Sequence, residues 1–273
     1  MKKKTNDIVI ILILIIVSIA ILFPIGIMIY TSIQGSSTIG GYQGQTGKNF
    51  IQNYKTVLLE KHLPRFFINS VIISTSVSSI TLFVGSLAAF GFSKLKFKFK
   101  NVSFNIILMG IMLPTGVVIL PLFILMKKLN LISNLLSVIL VEVGLFLAFA
   151  ILILKNHMDN LPQEILDAGY IDGCDKFNLF FKIVFPLSKP AVIAVGIFTF
   201  LWSWNDYLLP LIFLRKPEWQ TIQMAPQFYF SFFYADLPLY FASMVVAVMP
   251  VLILYFILQN RFIEGLTAGA LKE

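Results

Sequence analysis

Charge is what this chain lacks. Only 12% of its 273 residues are Asp, Glu, Lys or Arg, against about a quarter in ordinary globular proteins, while 58% are hydrophobic. The shortage is uneven. Six windows, Ile8 to Tyr30, Asn69 to Phe92, Ser103 to Met126, Ile132 to Leu154, Pro190 to Phe213 and Pro238 to Leu258, hold just two of the 34 charged side chains, Glu142 and Asp206. A soluble fold has no reason to segregate charge so fully, which excludes a soluble enzyme, a DNA-binding domain and a disordered chain. Cysteine is nearly absent, and with Cys174 alone no intrachain disulfide can form. Histidine is limited to His62 and His157, which fall on opposite sides of the membrane in the topology below and so share neither a metal nor a base role. A phosphate-binding loop is missing too. The glycine-rich stretch Gly41 to Lys48 has Tyr42 where the pattern needs glycine and Asn49 where it needs Ser or Thr, so the chain is expected to bind no nucleotide, cofactor or metal itself.

What is there is apolar length. Each window can cross a hydrocarbon core of about 30 Å as a helix rising roughly 1.5 Å per residue, and strand-length alternation is absent. The expected fold is an all-α integral membrane protein of six spans in a single domain, 1–273. Met1-Lys2-Lys3-Lys4 precedes a 23-residue apolar run with no small-x-small cleavage site after it, so this run is read as a retained first span and not a signal peptide. With the amino terminus inside, the segments 1–7, 93–102, 155–189 and 259–273 carry 13 Lys and Arg, against 8 in an equal length outside. Positive charge favours the cytoplasmic side, so both termini are expected there. Lys94, Lys96, Lys98 and Lys100 form the densest cluster. The surplus of positive charge is scattered over loops, which suits membrane lipid headgroups and not nucleic acid. Pro24, Pro114, Pro121, Pro210 and Pro250 lie inside spans and are expected to kink or unwind several of them.

The loop 155–189 is too long for a turn. Pro162 suits a first helical turn, Gly173 a break, Asp175 the cap of a second short helix and Pro186 its stop. Ile165, Leu166, Ala168 and Ile171 then give the first helix an apolar surface interspersed with Glu164, Asp167 and Asp172. Its acidic character disfavours an anionic lipid surface and favours a protein groove.

Within this loop, Asp167-Ala168-Gly169, then Gly173, Ile183 and Phe185-Pro186, keep over 20 positions the spacing Glu-Ala-Ala, three residues, Gly, nine residues, Ile, one residue, Leu-Pro. The chain thereby resembles the transmembrane subunits of binding-protein-dependent ABC importers. Asp for Glu, Gly for the second Ala and Phe for Leu are departures, and the first shortens the reach of a salt bridge the family would make. The run Leu201-Trp202-Ser203-Trp204-Asn205-Asp206-Tyr207-Leu208-Leu209-Pro210 and the tail Gly265 to Ala270 narrow the resemblance to the smaller, six-span permease of maltose-type carbohydrate importers.

The resemblance implies a type I permease fold, with a coupling helix between spans four and five. It also implies a heterodimer with a second permease, two cytoplasmic ATPase subunits carrying ATP and Mg, and an external solute-binding protein delivering a sugar or oligosaccharide across the bacterial cell membrane. A polyol or sugar phosphate is the alternative cargo, and an ATP-independent secondary transporter the alternative class. Coupling falls to Glu164, Asp167, Ala168, Gly169, Asp172, Gly173, Ile183 and Pro186. Glu142, near mid-membrane, should face the protein interior, with a structural role at least as fitting as a substrate contact. Trp202, Trp204 and Tyr207 fit an interfacial belt, or with Asn205 and Asp206 the outer end of a sugar pathway. Phe228, Tyr229, Phe230 and Phe233, in the long outer loop, fit either a surface for the binding protein or lipid embedding.

Overall fold

The computed structural model describes residues 2–34, 50–59, 62–231 and 234–270. Four helices are long and apolar enough to cross a membrane unbroken: α1 (Lys2–Ser32), α3 (Leu63–Lys94), α6 (Leu135–Asp159) and α12 (Leu237–Ala270). The short α2 (Phe50–Leu58), which hydropathy alone does not single out, precedes α3.

The third and fifth windows are bent instead of straight. α4 (Lys100–Met109) runs through a single 3-10 turn, Gly110–Met112, and then meets α5 (Thr115–Lys128) at 103°. The cause is local: Pro114 has no N–H to donate and pushes Leu113 into an extended conformation, ψ 114°. In the fifth window α10 (Lys189–Asn205) ends at Asp206, whose extended backbone separates it from α11 (Leu208–Phe213). The expectation that several spans are kinked or unwound at their prolines is thus met at Pro114, and the fifth window is interrupted just before Pro210, which lies in the first turn of α11. Pro24, Pro121 and Pro250 all lie inside continuous helices. Counting α4 with α5 as one bent span, and the stretch Lys176–Leu187 with α10, bent by 76°, as another, the described residues offer up to six spans.

Between α6 and α10 stand α7 (Gln163–Ile171), α8 (Lys176–Leu179), one π-helical turn (Phe180–Val184) and α9 (Phe185–Leu187). Two-residue strands β1 (Phe230–Ser231) and β2 (Tyr234–Ala235) pair antiparallel in the loop before α12, a feature absent from the sequence reading.

The chain forms two compact units, residues 1–64 with 222–250, and 65–221 with 251–273. In the first, Asn53 of α2 donates to the carbonyls of Ser32 (3.0 Å) and Gln34 (2.8 Å), and the Tyr54 and Ser32 hydroxyls meet at 2.9 Å, so α2 fastens the end of α1. From Ile10 to Tyr30 the apolar side chains of α1 are exposed or half-buried on every side, as suits a helix surrounded by hydrocarbon.

The second unit holds two cores at opposite ends of α6. One gathers Ile73 and Val77 of α3, Met126 of α5, Val138 and Val141 of α6, and Leu209 and Phe213 of α11. The other gathers Ala89 and Phe90, Leu154 and Met158, and Val195 of α10 with residues of the α7–α9 segment. α3 and α6 therefore run the same way and α10 runs against them, as alternate crossings require. Midway, Ser78 donates to the Gly196 carbonyl (3.0 Å) and Thr199 to Ser78 (3.1 Å), while a Cβ at Gly196 would sit 3.0 Å from Leu82 Cδ1, closer than ordinary contact. Small residues and shared hydroxyls are how helices hold together in lipid, where no hydrophobic gain drives them.

Candidate functional site

The α7–α9 segment is built for rigidity. Pro162, one residue before α7, supplies the extended entry, and Glu164 sits in the acidic-favouring first turn. α7 ends in a Schellman closure: Gly173 N–H donates to the Tyr170 carbonyl (3.1 Å) and Cys174 N–H to that of Gly169 (3.0 Å), with Gly173 at φ +81°. Asp175 accepts from Asn178 N–H at 2.8 Å and so caps α8, as its position in the sequence suggests. Pro186 does not stop the second helix. The π turn absorbs it, closing Phe185 N–H onto the Phe180 carbonyl just before the proline, and the chain bends by 76° only at Ser188.

One face of α7 docks inward. Leu166 is 2% exposed, and Gly169 lies so near Ile183 and Leu179 that a Cβ there would sit 2.6 Å and 2.9 Å from their Cδ1 atoms. The glycine found where the motif has alanine is what this close approach needs. Phe180 continues the contact, 5.2 Å from Phe90 of α3 and 5.7 Å from Phe185. Leu166 is therefore corrected from the outward surface to the inward one. The other face carries Ile165, Ala168, Tyr170 and Ile171, the last 86% exposed, beside Phe177 at 72%. Asp167, Asp172 and Glu164 are exposed among them. Asp167 accepts from Gln163 at 2.9 Å and makes no ion pair among the described residues. Tyr170 and Phe177 escaped the sequence reading, although Phe177 follows the recognised cap by two residues.

The pathway candidates do not converge on one point. Glu142 is fully buried, and neither of its carboxyl oxygens has a hydrogen-bond partner of good geometry among the described residues. Ser203 and Asp206 flank it, and the Ser203 hydroxyl is likewise buried and unpartnered. Ser203 lies inside the recognised tryptophan run yet was not singled out. Asp206 also accepts from the N–H groups of Leu208 (2.9 Å) and Leu209 (3.3 Å), capping α11. Trp202 points elsewhere, packing edge-on to Phe149 at 4.7 Å and near Phe146 at 5.5 Å, while Trp204 is buried against Phe67 of α3 and Phe200. Asn205 and Tyr207 are exposed.

In the loop before α12 Phe228 and Phe230 are about half exposed, but Tyr229 is buried and leaves the expected contact surface. Phe233 lies outside the described residues, as does the glycine-rich stretch Gly41 to Lys48.

A family model described as "Binding-protein-dependent transport system inner membrane component" matches residues 81–267, from mid-α3 through α7 and into the last helix. The chain belongs to that family. The permease is 32% identical over 251 residues to a putative ABC transporter permease protein, ORF2, of a Caldicellulosiruptor species, covering 91% of both chains. It is 35% identical to the arabinooligosaccharides transport system permease protein AraQ of Bacillus subtilis, over 76% of this chain and 73% of that one. It is 32% identical to the sulfoquinovosyl glycerol transport system permease protein SmoH of Agrobacterium fabrum, over 81% and 78%. Its fold matches the crystal structure of a bacterial ABC transporter importing the acidic polysaccharide alginate, with TM-score 0.81, 21% identity, and coverage of 96% of this chain and 98% of that one. The permease is thus a membrane-embedded, multi-pass transporter subunit of the type I fold.

Proposed function

We propose that the permease pairs with a second permease and two ATPase subunits to import a sugar or oligosaccharide handed over by an external solute-binding protein, with ATP and Mg held by the ATPases. The carbohydrate class rests on relatives whose names specify arabinooligosaccharides, sulfoquinovosyl glycerol and diacetylchitobiose. The observation that carries the mechanism is the exposed face of α7, whose apolar residues lie over a backbone locked by Gly169 and Ile183. A protruding apolar ridge with acidic neighbours fits a partner groove, and its dense seat on α3, α6 and α10 lets groove closure tilt these helices as one body. Shifting two such packings from 1:99 to 99:1 takes about 5.5 kcal/mol of differential interaction.

In this reading Glu164, Asp167, Ala168, Gly169, Asp172, Gly173, Ile183 and Pro186 form or support the coupling element, both termini are cytoplasmic, and the two units work as one permease domain. Glu142, Ser203 and Asp206 form a polar station along the sugar's route, with Trp202, Asn205 and Tyr207 nearer its outer end, while Trp204 acts as packing. Phe228 and Phe230 meet the binding protein. Reconstitution tests this: uptake of a labelled oligosaccharide should require ATP, the ATPase subunits and the binding protein together. Uptake by the permeases alone would refute it.

A further inference from the structure

At the end of α3 and α6 that carries the α7 segment, a cavity of about 420 Å³ opens between the last turn of α3, the first turns of α4 and the end of α6. Lys100, Asn101, Asn105 and Lys155 offer donors to it. A second hollow of about 370 Å³ shares Lys100 and Asn101 and is walled by Lys96, Phe97 and Phe99. The charges are unequal. Lys155 is neutralised by Asp159 at 2.6 Å, whose other oxygen accepts from Ser93 at 2.7 Å. Lys94, Lys96, Lys98 and Lys100 form no ion pair among the described residues. Lys100 donates to the carbonyls of Ser93 (3.2 Å) and Leu95 (3.1 Å), which closes the end of α3 and leaves one of its three ammonium donors free. The amides of Asn101 and Asn105 make no hydrogen bond among the described residues.

Two further features decide what kind of anion fits. Phe97 and Phe99 alternate with the lysines and are 46% and 65% exposed, and Phe99 is held at φ +64°, a conformation that bulky side chains avoid. A free inorganic anion would gain nothing from aromatic rings set beside its ammonium groups. A molecule with a phosphate head and an acyl tail gains from both.

We propose that residues 93–105, with Lys155, form a site for the headgroup of an anionic phospholipid, its phosphate held between Lys96, Lys100 and the Asn101 amide, with the Lys98 ammonium close by over the Phe99 ring, and its acyl chains against Phe97 and Phe99. This goes beyond diffuse attraction of basic loops to a charged surface, because Lys96, Lys100 and Asn101 line one hollow together with Phe97 and Phe99. The proposed transport reading supplies only the leaflet, the cytoplasmic one.

The test titrates the purified full-length chain in detergent with phosphatidylglycerol and, in parallel, phosphatidylcholine of the same acyl chains, counting retained lipids by native mass spectrometry. Phosphatidylglycerol should be retained preferentially. The pair Lys96→Gln and Lys98→Gln, neither of which holds a structural hydrogen bond, should weaken retention about fivefold per lysine, hence roughly twenty-five-fold together. The pair Lys96→Arg and Lys98→Arg should keep it, which separates charge loss from misfolding. Equal retention of the two lipids, no effect of the Gln pair, or displacement of phosphatidylglycerol by excess inorganic phosphate would overturn the proposal. Detergent has no sides, so such a failure would leave the transport reading untouched.

Discussion

Gly169→Ala sets two effects of known size against each other. Alanine is favoured over glycine inside a helix by about 1 kcal/mol, and α7 would gain that if the site were open. The new methyl would lie 2.6 Å from Ile183 Cδ1 and 2.9 Å from Leu179 Cδ1, roughly 1 Å inside ordinary carbon contact. Both neighbours are flexible at that end, but Leu179 is 1% exposed, so it has little room to withdraw. Overpacking of this kind costs about 1 to 3 kcal/mol, so with 2 kcal/mol as the working value the net destabilisation is about 1 kcal/mol. Ile183→Val removes one of the two clashing atoms and by itself should cost about 1 kcal/mol. If the clash is real the double variant should be no less stable than Ile183→Val alone, a coupling of 1 to 2 kcal/mol between the two sites. Unfolding of the purified chain in mixed micelles of increasing SDS content measures all four corners of the cycle. A Gly169→Ala variant that is more stable than the parent, with additive behaviour in the double, would show that α7 is not seated this closely and that the rigid-seat argument fails.

Ile171→Ser should weaken association with the ATPase subunits about tenfold or more, since a side chain 86% exposed has nearly all of its 1.5 to 3 kcal/mol of burial still to gain; co-purification yield against ATPase concentration reads it. Gly173→Val should cost the 1 to 2 kcal/mol of placing a side chain at φ +81°, and Gly173→Asn less, seen as graded loss of sugar-stimulated ATP hydrolysis with membrane insertion retained. Phe228→Ser with Phe230→Ser should reduce stimulation of ATP hydrolysis by the binding protein while basal hydrolysis stays; unchanged stimulation would leave these rings to the lipid. In a Cys174-free background, a cysteine at Gln227 should react with an impermeant thiol reagent in whole cells and one at Asn101 should not, and labelling at Asn101 would reverse the proposed orientation.

Long uniform apolar runs made α1, α3, α6 and α12 readable from composition, because membrane helices must satisfy their backbone internally and need no special partners. The bend at Leu113 and Pro114 was not readable in the same way. Pro24 and Pro250 sit in equally apolar runs and leave their helices continuous, so a proline in an apolar run does not by itself say whether the span breaks there. In the coupling segment the Asp175 cap and the Gly173 turn followed from residue type. Leu166 was misassigned because a nine-residue helix has apolar residues on both faces, 165, 168 and 171 outward and 166 inward, and only the tertiary seat tells them apart. The proximity of Glu142 to Ser203 and Asp206 brings together residues about 60 positions apart, which no local pattern encodes.

Trp202 and Trp204 stand in the last turn of α10 and Trp219 beyond it, whereas the aromatic side chains that seat the α7 segment are phenylalanines, Phe90, Phe180 and Phe185. The seat is therefore nearly silent in ultraviolet emission, and intrinsic fluorescence belongs to the far end of a helix of 17 residues, about 25 Å long. Nucleotide added to partners at the seat cannot touch these indoles. A change in their emission spectrum would be an optical record of movement carried along α10, with no label attached.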